Sequence, residues 1–314
     1  MTCQAPALEL RPLRPDEWPA VAELIRESTN AWYVAHGKPP IFTGPPEATL
    51  LFPQVYEDLD PGCCLVAADA ATEQLLGSCF YHPRPTHVSL GIMNVASHAF
   101  GRGVAGKLLA WIVNFARERQ QSVRLVSSAQ NLDSFSLYTR QGFSPRAIFQ
   151  DLLIHVPHSG LPESPPPTGW QLRPAEKADL AAMTALEEQL VGISRPGDYI
   201  YFHDNHLGCW QTSVAIDAAG ELAGFLVTIQ HPGSTLAGPG VMRDEETALA
   251  LLPYALNRRR DWSPVVLVPA DRPRLVRGMY DWGAKNVELH VLQVHGAAQE
   301  LKGVVIPTFM PESG

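Results

Sequence analysis

The segment from His87 to Gln120 constrains the fold of this chain more than any other. Its hydrophobic pattern predicts a β-strand over Val88–Ala96, a glycine-rich turn at Phe100–Gly106 and an amphipathic helix behind that turn. Glycine lets the backbone approach a ligand closely, and the first amides of a helix have no partner within it. The segment therefore predicts a site for a negatively charged group at the start of the helix. The helical pattern rests on Val104, Leu108, Ile112 and Phe115 or Ala116.

Two nucleotide-binding patterns overlap with this turn, and each lacks part of its context. Residues 101–106, GRGVAG, satisfy the dinucleotide pattern GxGxxG. However, the next predicted strand, Val123–Ser128, ends in two serines where that fold holds a ribose with an acidic residue. Residues 101–107 nearly satisfy GxxxxGK[ST], but Leu108 stands where a hydroxyl would bind magnesium. Both nucleotide interpretations stay open as the less favoured alternatives.

A third pattern extends further along the chain. Residues 95–105, VASHAFGRGVA, resemble the acetyl-CoA loop [QR]xxGx[GA] of the GCN5-related N-acetyltransferase (GNAT) family. Phe100 replaces the Gln or Arg of that pattern, whereas Gly103 and Ala105 match it. Further on, residues 131–143, NLDSFSLYTRQGF, resemble the family's N…Y…GF segment. Because both motifs occur in the family's order, with one predicted helix and one strand between them, the chain is identified as a member by resemblance.

This resemblance implies an α/β (α+β) fold with two tandem GNAT-type domains, each a mixed, strongly twisted central sheet flanked by helices. It implies acetyl-CoA as a co-substrate and no metal. The loop and the strand before it would bind the cofactor chiefly through main-chain groups. The cofactor-binding residues that the resemblance implies are Met93, Val95, Phe100, Gly101, Arg102, Gly103, Val104, Ala105, Gly106 and Asn131.

Acetyl transfer to an amine needs a positioned thioester, a polarised carbonyl, a neutral amine and a proton for the leaving thiolate. The resemblance assigns the role of general acid to Tyr138, since a phenol with a pKa of about 10 can protonate a thiolate. The base is not fixed by the motifs, because Ser89 stands where some relatives have a glutamate. His87, two residues earlier on the same strand face, is the candidate base, and a histidine that only caps the strand is the alternative. No motif places His82 or His36.

The chain is long enough for two domains, and its composition changes between them. With 314 residues it has about twice the length of a typical domain. Residues 158–168, HSGLPESPPPT, contain three consecutive prolines and predict a linker. Beyond the linker, Gln171–Pro174 and a predicted helix repeat the pattern that begins at Glu9–Pro12. We therefore predict a catalytic domain at residues 1–157 and a related domain at residues 169–314.

The second domain keeps the scaffold pattern but lacks the cofactor motifs. Before its predicted helix at Glu245–Arg259, Pro239 removes an amide, and residues 244–246 are all acidic where a pyrophosphate would bind. Met279 stands at the position that corresponds to Tyr138. We expect this degenerate domain to serve structure, dimerisation or closure of the acceptor site. A homodimer is compatible with that expectation.

Charge and hydropathy limit the partners of the chain. The formal net charge of −8 argues against nonspecific nucleic-acid binding and favours a cationic or neutral partner. The sequence contains no apolar run long enough to span a membrane and begins with charged residues, so we expect no membrane partner and a cytoplasmic location. The five cysteines and the scattered histidine pairs form neither a disulfide framework nor a metal-ligand pattern.

The motifs predict transfer of acetyl from acetyl-CoA to a primary amine by direct attack in a ternary complex. The aromatic segment Asn30–Phe42, with Trp32, Tyr33 and Phe42, is expected to line the acceptor pocket. A loop that packs on its own aromatic residues is the alternative. A small cationic acceptor is slightly favoured over a protein lysine or N-terminus. The altered Phe100 and the missing glutamate leave a second function open, that of a non-catalytic acyl-CoA-binding or regulatory protein.

Overall fold

The computed structural model of the chain describes residues 8–163 and 165–312. In order, the first half forms β1 (Leu8–Pro12), α1 (Trp18–Ala35), α2 (Leu51–Leu59), β2 (Cys64–Asp69), β3 (Leu75–Pro83), β4 (His87–Val95), α3 (Val104–Glu118), β5 (Ser122–Ser128), α4 (Leu132–Arg140) and β6 (Ser144–Leu153). The second half forms β7 (Gln171–Pro174), α5 (Leu180–Val191), α6 (Pro196–Asp204), β8 (Trp210–Ile216), β9 (Leu222–His231), β10 (Ser234–Met242), α7 (Glu245–Leu256), β11 (Val265–Pro269), α8 (Pro273–Asp281), β12 (Lys285–His295) and β13 (Val304–Ile306). The second half thus repeats the element order of the first and then adds β13.

The strands join one mixed sheet in which the two halves exchange a strand. The order is β1-β2-β3-β4-β5-β12-β6-β11-β10-β9-β8-β7, and β13 pairs with β10. β12 from the second half pairs antiparallel with β5, and β6 from the first half pairs antiparallel with β11. β6 and β12 also pair with each other. The family resemblance implies a central sheet for each domain. The sequence pattern does not reveal the exchange, because a strand alternates in the same way whichever sheet it joins.

The helices on one face of the sheet form a core that both halves share. Val21 and Tyr56, on α1 and α2, belong to the same buried cluster as Met183 and Tyr199, on α5 and α6. Arg84, just after β3, pairs with Asp198 of α6 at 2.6 Å, and both side chains are buried. Because apolar side chains of both halves are buried together in this cluster, it holds the two halves in position.

Two predicted segments differ in the structure. α1 extends to Ala35, so residues 30–35 of the segment expected to be irregular are helical. The reason is that the helix-breaking prolines begin only at Pro39. The alternating apolar residues of 143–156 predict the final strands of the first domain. The structure has a single strand there, β6, which lies between β12 and β11.

Of the helices that the structure describes, none is both long and apolar enough to cross a membrane.

Candidate active site

The parallel strands β4 and β5 are paired only where they begin. Residues 87–89 pair with residues 122–124, and beyond these positions the two strands diverge. Ala96, just after β4, donates its N–H to β3. Because main-chain groups alternate in direction along a strand, those of Met93 and Val95 face the gap between β4 and β5. The gap is therefore lined by main-chain donors and acceptors that β5 does not engage.

The turn before α3 presents amides at one end of this gap. Gly101 and Gly103 both have a φ of 76°, and a Cβ at either position would meet no described atom within 4 Å. No side chain caps α3, and the amides of residues 104–106 donate no hydrogen bond within the described part of the chain. Phe100 and Arg102 are exposed at the rim of the turn. Open space next to unpaired amides at a helix start is what a phosphate group requires.

The second motif contributes two polar residues, one just before α4 and one within it. Asn131 is the residue before the helix, and its Oδ1 accepts a hydrogen bond from the N–H of Ser134 at 3.0 Å. Tyr138 is 6% exposed. Burial raises the pKa of the Tyr138 phenol, and the nearby thiol of Cys79 and carboxylate of Glu312 add to the increase. The phenol therefore stays protonated well above neutral pH and can act as a proton donor.

The C-terminal segment crosses from the second half to the first. After β13, the carbonyl oxygen of Phe309 accepts a hydrogen bond of 3.0 Å from the hydroxyl of Tyr56 on α2. Glu312 follows and is 8% exposed, with its Oε2 3.7 Å from Nε2 of His82. Both of these atoms are buried and lack a hydrogen-bond partner in the described chain. Glu312 carries no signal in the sequence, because no motif surrounds it and its neighbours in space are distant along the chain.

His82 is held from its other side by a carboxylate. Its Nδ1 lies 2.7 Å from Oδ2 of Asp60, and Arg84 fixes Asp60 through hydrogen bonds of 2.6 and 2.9 Å. Burial lowers the pKa of His82, but the carboxylates of Asp60 and Glu312 outweigh burial, so the pKa is raised overall. A Cβ at Gly91 would lie 2.9 Å from Nε2 of His82. The His82 and Glu312 pair therefore lies beside β4 at the beginning of the gap.

His87 is enclosed at the paired end of β4. Its ring nitrogens lie 3.0 Å from Oγ1 of Thr86 and 3.1 Å from Oγ of Ser89. Burial lowers the pKa of His87 well below its usual value, and the positive charges of Arg124 and Arg195 lower it further. His87 is 1% exposed and is thus a neutral side chain bonded to its own strand.

Tyr33 of α1 shares a carboxylate with the end of β5. Its hydroxyl donates to Oε2 of Glu288 at 2.9 Å, and the hydroxyl of Ser128 donates to the other oxygen of Glu288. Burial raises the pKa of Tyr33, and the charges of Glu288 and Asp151 raise it further. Glu288 lies on the exchanged strand β12, which explains why the sequence did not associate it with this site. The surroundings of Tyr33 are therefore acidic.

The other two aromatic residues expected at the acceptor pocket have different neighbours. Trp32 stacks on His36, with 4.1 Å between ring centroids. Phe42 packs edge-on against Phe52 at 5.6 Å, at the border of the shared core. Asn30 fastens the segment through two hydrogen bonds of 3.0 Å with the main chain of Phe42. Part of the segment thus packs on itself, while Tyr33 is turned toward β5 and β12.

The corresponding gap in the second half is filled by the chain itself. β10 pairs in parallel with β11 only at Leu236 and Ala237. Beyond these residues, β13 pairs antiparallel with residues 240–242 of β10. A Cβ at Gly238 would lie 2.3 Å from the carbonyl oxygen of Pro307, so the inserted segment is in close contact.

The helix starts of the second half are satisfied by side chains. Oδ1 of Asp244 accepts a hydrogen bond from the N–H of Thr247 at 2.8 Å, and the carboxylate of Glu245 accepts from the N–H of Leu275 at 2.7 Å. Met279, at the position corresponding to Tyr138, is fully buried in the core of this half. Within residues 8–163 and 165–312, no group of three or more His, Cys, Asp or Glu side chains is arranged to hold a metal ion.

Comparisons with known proteins agree with this arrangement. Residues 20–143 match the family described as Acetyltransferase (GNAT) family, whereas no curated protein matches the chain in sequence. A structure from Pyrococcus horikoshii superposes with a TM-score of 0.73 at 14% identity, over 96% of this chain and 93% of that one. A GCN5-related N-acetyltransferase from Sphaerobacter thermophilus gives 0.65 at 20%, over 94% and 96%. A tandem GNAT protein from the clavulanic acid biosynthesis pathway gives 0.60 at 16%, over 93% and 98%. The likeness therefore extends over nearly the whole tandem fold.

Proposed function

Because this chain belongs to the GNAT family of acetyl-CoA-dependent acetyltransferases, in tandem form, we propose that it transfers acetyl from acetyl-CoA to the primary amine of a small cationic molecule. One observation carries the proposal. The gap between β4 and β5 is open beside the uncapped start of α3, and the buried Tyr138 and Glu312 are close enough for the charge of Glu312 to raise the pKa of the phenol. A proton donor and a proton acceptor thus accompany a site that suits a phosphorylated thioester.

Acetyl-CoA would be held mainly by the main chain of the first half. The amides of residues 104–106 and the open space at Gly101 and Gly103 suit its pyrophosphate. The main-chain groups of Met93 and Val95 suit the amides of its pantetheine arm. Arg102 at the rim adds a positive charge. When bound, acetyl-CoA supplies an acetyl group that is activated as a thioester.

We assign acetyl-CoA binding to the first half alone. In the second half, β13 occupies the equivalent gap, and Asp244 caps the helix that corresponds to α3. Residues 244–246 would also place negative charge against a pyrophosphate. The proposed role of residues 169–314 is to complete the first half, because they contribute β12 with Glu288 and the segment that carries Glu312.

Tyr138 is the proposed proton donor to the leaving thiolate. Its burial keeps the phenol neutral, which is the form that donates a proton. Asn131 has a supporting role in this proposal, because its hydrogen bond to Ser134 fixes the start of the helix on which Tyr138 lies.

Glu312 is the proposed proton acceptor for the amine. Its Oε2 is buried, lies 3.7 Å from Nε2 of His82 and accepts no described hydrogen bond, so it can accept one from an ammonium group. His82 is a positioning residue, held by Asp60 and directed at Glu312. His87, the candidate from the sequence, is bonded to Thr86 and Ser89, so we do not assign it a role in proton transfer.

The acidic surroundings favour a cationic acceptor. Glu288 and Asp151 act on Tyr33, and Glu312 lies near β4. Carboxylates at the acceptor side attract a protonated amine, and a second positive charge on the same molecule would pair with Glu288. This combination favours a small polyamine or amino sugar over an isolated protein N-terminus.

The proposal is tested by measuring CoA release from acetyl-CoA with a thiol reagent in the presence of spermidine, glucosamine, a lysine-containing peptide and a peptide with a free N-terminus. We expect turnover with at least one of the two small cationic amines and less with either peptide. Mass spectrometry of the product should show addition of one acetyl group. Turnover with peptides alone would refute the proposed acceptor class, and CoA binding without turnover on any amine would favour the regulatory alternative.

A further inference from the structure

A cavity of about 330 Å³ lies in the second half, outside the proposed acetyl-CoA site. It is formed where the end of α6 and the start of β8 meet the residues that follow α7. This volume lies in the range of sites for small molecules. Trp210, Gln211, Arg258 and Arg259 contribute polar side chains to its lining.

Four polar side-chain atoms of the residues that line this cavity lack hydrogen-bond partners. Nε1 of Trp210, Nη1 of Arg258, Nη1 of Arg259 and Oε1 of Gln211 are all buried, and none has a hydrogen-bond partner in the described residues. The Trp210 side chain is nearly enclosed, with 2% of the residue exposed. Folded proteins pair almost all of their buried polar atoms, so four unpaired atoms around one cavity indicate a missing ligand. Three of the four are donors, and such a ligand must therefore be rich in acceptors.

The charges around the cavity indicate the sign of the ligand. The side chain of Arg258 makes no ion pair or hydrogen bond within the part of the chain that is described. Arg259 donates from Nη2 to the carbonyl oxygen of Cys209 at 2.7 Å and has no described carboxylate partner. Burial lowers the pKa of Arg259, and the positive charge of Arg258 lowers it further. Two neighbouring guanidinium groups thus repel each other in a chain whose acidic residues outnumber its basic ones, 32 to 24.

The end of α7 explains only part of this arrangement. Basic residues after the C-terminus of a helix interact favourably with its partial negative charge. That interaction accounts for positive charge next to Leu256, where α7 ends. It does not explain why one nitrogen of each guanidinium is buried without an acceptor in residues that line the same cavity as Trp210.

We propose that this cavity binds a small phosphate monoester that also carries a hydroxyl group. A phosphate monoester carries nearly two negative charges at neutral pH, which matches the two guanidinium groups, and guanidinium binds such oxyanions through paired hydrogen bonds. The indole N–H of Trp210 donates to a third phosphate oxygen. The hydroxyl group donates to Oε1 of Gln211, the one unpaired acceptor among the four atoms. This site is independent of acetyl transfer in the first half.

Isothermal titration calorimetry with glycerol 3-phosphate, inorganic phosphate and malonate tests the proposal on the full chain. We expect one site per chain for glycerol 3-phosphate and weaker binding of inorganic phosphate and malonate. Arg258→Gln, which removes no described hydrogen bond, should weaken binding at least tenfold. Arg260→Gln is the matched control, because it removes the same charge from an exposed neighbour that does not line the cavity.

Trp210→Phe separates direct contact from general charge attraction. This substitution keeps an aromatic ring but removes the N–H, and we expect glycerol 3-phosphate to bind several-fold more weakly. Thermal melting of each variant without ligand shows whether it is folded, and Arg259→Gln provides a second charge variant. The proposal is refuted if glycerol 3-phosphate does not bind, if malonate binds more tightly, or if Arg260→Gln weakens binding as much as Arg258→Gln.

Discussion

Nε2 of His82 lies 3.7 Å from Oε2 of Glu312, which the C-terminal segment brings to the first half from the far end of the chain. His82 is fixed by Asp60, and Asp60 by Arg84, which also pairs with Asp198 of the second half. Both halves therefore contribute to the surroundings of the gap between β4 and β5. The first half alone therefore does not contain all residues of the proposed active site.

Glu312→Gln tests the proposed proton acceptor. The amide keeps the shape of the side chain but cannot take a proton from an ammonium group. We expect kcat/KM for the accepted amine to fall by roughly 10²-fold, with unchanged affinity for acetyl-CoA. Steady-state kinetics and calorimetry measure the two quantities. Glu300→Gln, at an exposed residue in the same C-terminal part of the chain, is the control and should behave as the wild type. If Glu312→Gln had the kinetics of the wild type, Glu312 would not be the proton acceptor.

Tyr138→Phe tests the proton donor. We expect kcat to fall by roughly 10²-fold because the thiolate leaves without a proton, while acetyl-CoA still binds. The raised pKa of Tyr138 keeps the wild-type phenol protonated beyond its usual pKa of about 10. Wild-type kcat should therefore show no decline from a phenol ionisation up to about pH 10. An unchanged kcat in the variant, or a wild-type loss of activity that follows ionisation of this phenol near neutral pH, would contradict the assignment.

The sequence predicted the turn before α3 and Tyr138 as site residues because their signals are local. The glycines of residues 101–106 and the N…Y…GF segment each belong to one continuous stretch, so their spacing can be recognised without knowledge of the fold. Pro239 and the acidic residues 244–246 likewise indicated that the second half had lost its cofactor motifs. What local pattern could not show is that β13, only residues 304–306, fills the gap in that half.

Glu288 and Glu312 were not predicted, because topology alone brings them to the site. Glu288 reaches Tyr33 through the exchange of β12 into the first half of the sheet. Glu312 reaches His82 after the chain has crossed from β13. Asn131 differs from these two residues, because a local motif predicted it as a cofactor-binding residue. In the structure its side chain caps α4. A motif thus predicted the position of the residue but not the partner of its side chain.

The raised pKa of His82 predicts a pH dependence of stability. Burial lowers this pKa, but Asp60 and Glu312 raise it above the unfolded value of about 6.5. A raised folded pKa stabilises the fold fully below the unfolded pKa, and this contribution is lost as pH rises through the folded pKa. We expect NMR titration of the His82 ring to give a pKa above about 6.5 and Asp60→Asn to lower it. The exposed Asp16→Asn should leave it unchanged. A wild-type value below about 6.5 would contradict this expectation.

The buried pair of Arg195 and Glu187 predicts a large effect on stability. Arg195 donates to Oε1 of Glu187 at 2.6 Å, and both side chains are almost fully buried. Glu187→Gln leaves the guanidinium without its charged partner, so we expect the free energy of unfolding to fall by about 3 kcal/mol. Urea denaturation measures the change. Glu188→Gln, the same substitution at the exposed neighbouring residue, should change stability by less than about 0.5 kcal/mol. Equal effects of the two variants would mean that the buried pair adds no stability.

Calorimetric titration of the full chain with acetyl-CoA tests whether the cofactor binds only in the first half. We compare the wild type with Gly103→Glu, which places a carboxylate in the turn before α3. Gly220→Glu is the matched control, because that glycine also has a positive φ, of 83°, and a Cβ added there would meet no described atom within 4 Å. We expect one site per chain in the wild type and in Gly220→Glu, and no binding in Gly103→Glu. Two sites per chain, or unchanged binding in Gly103→Glu, would contradict binding in the first half alone.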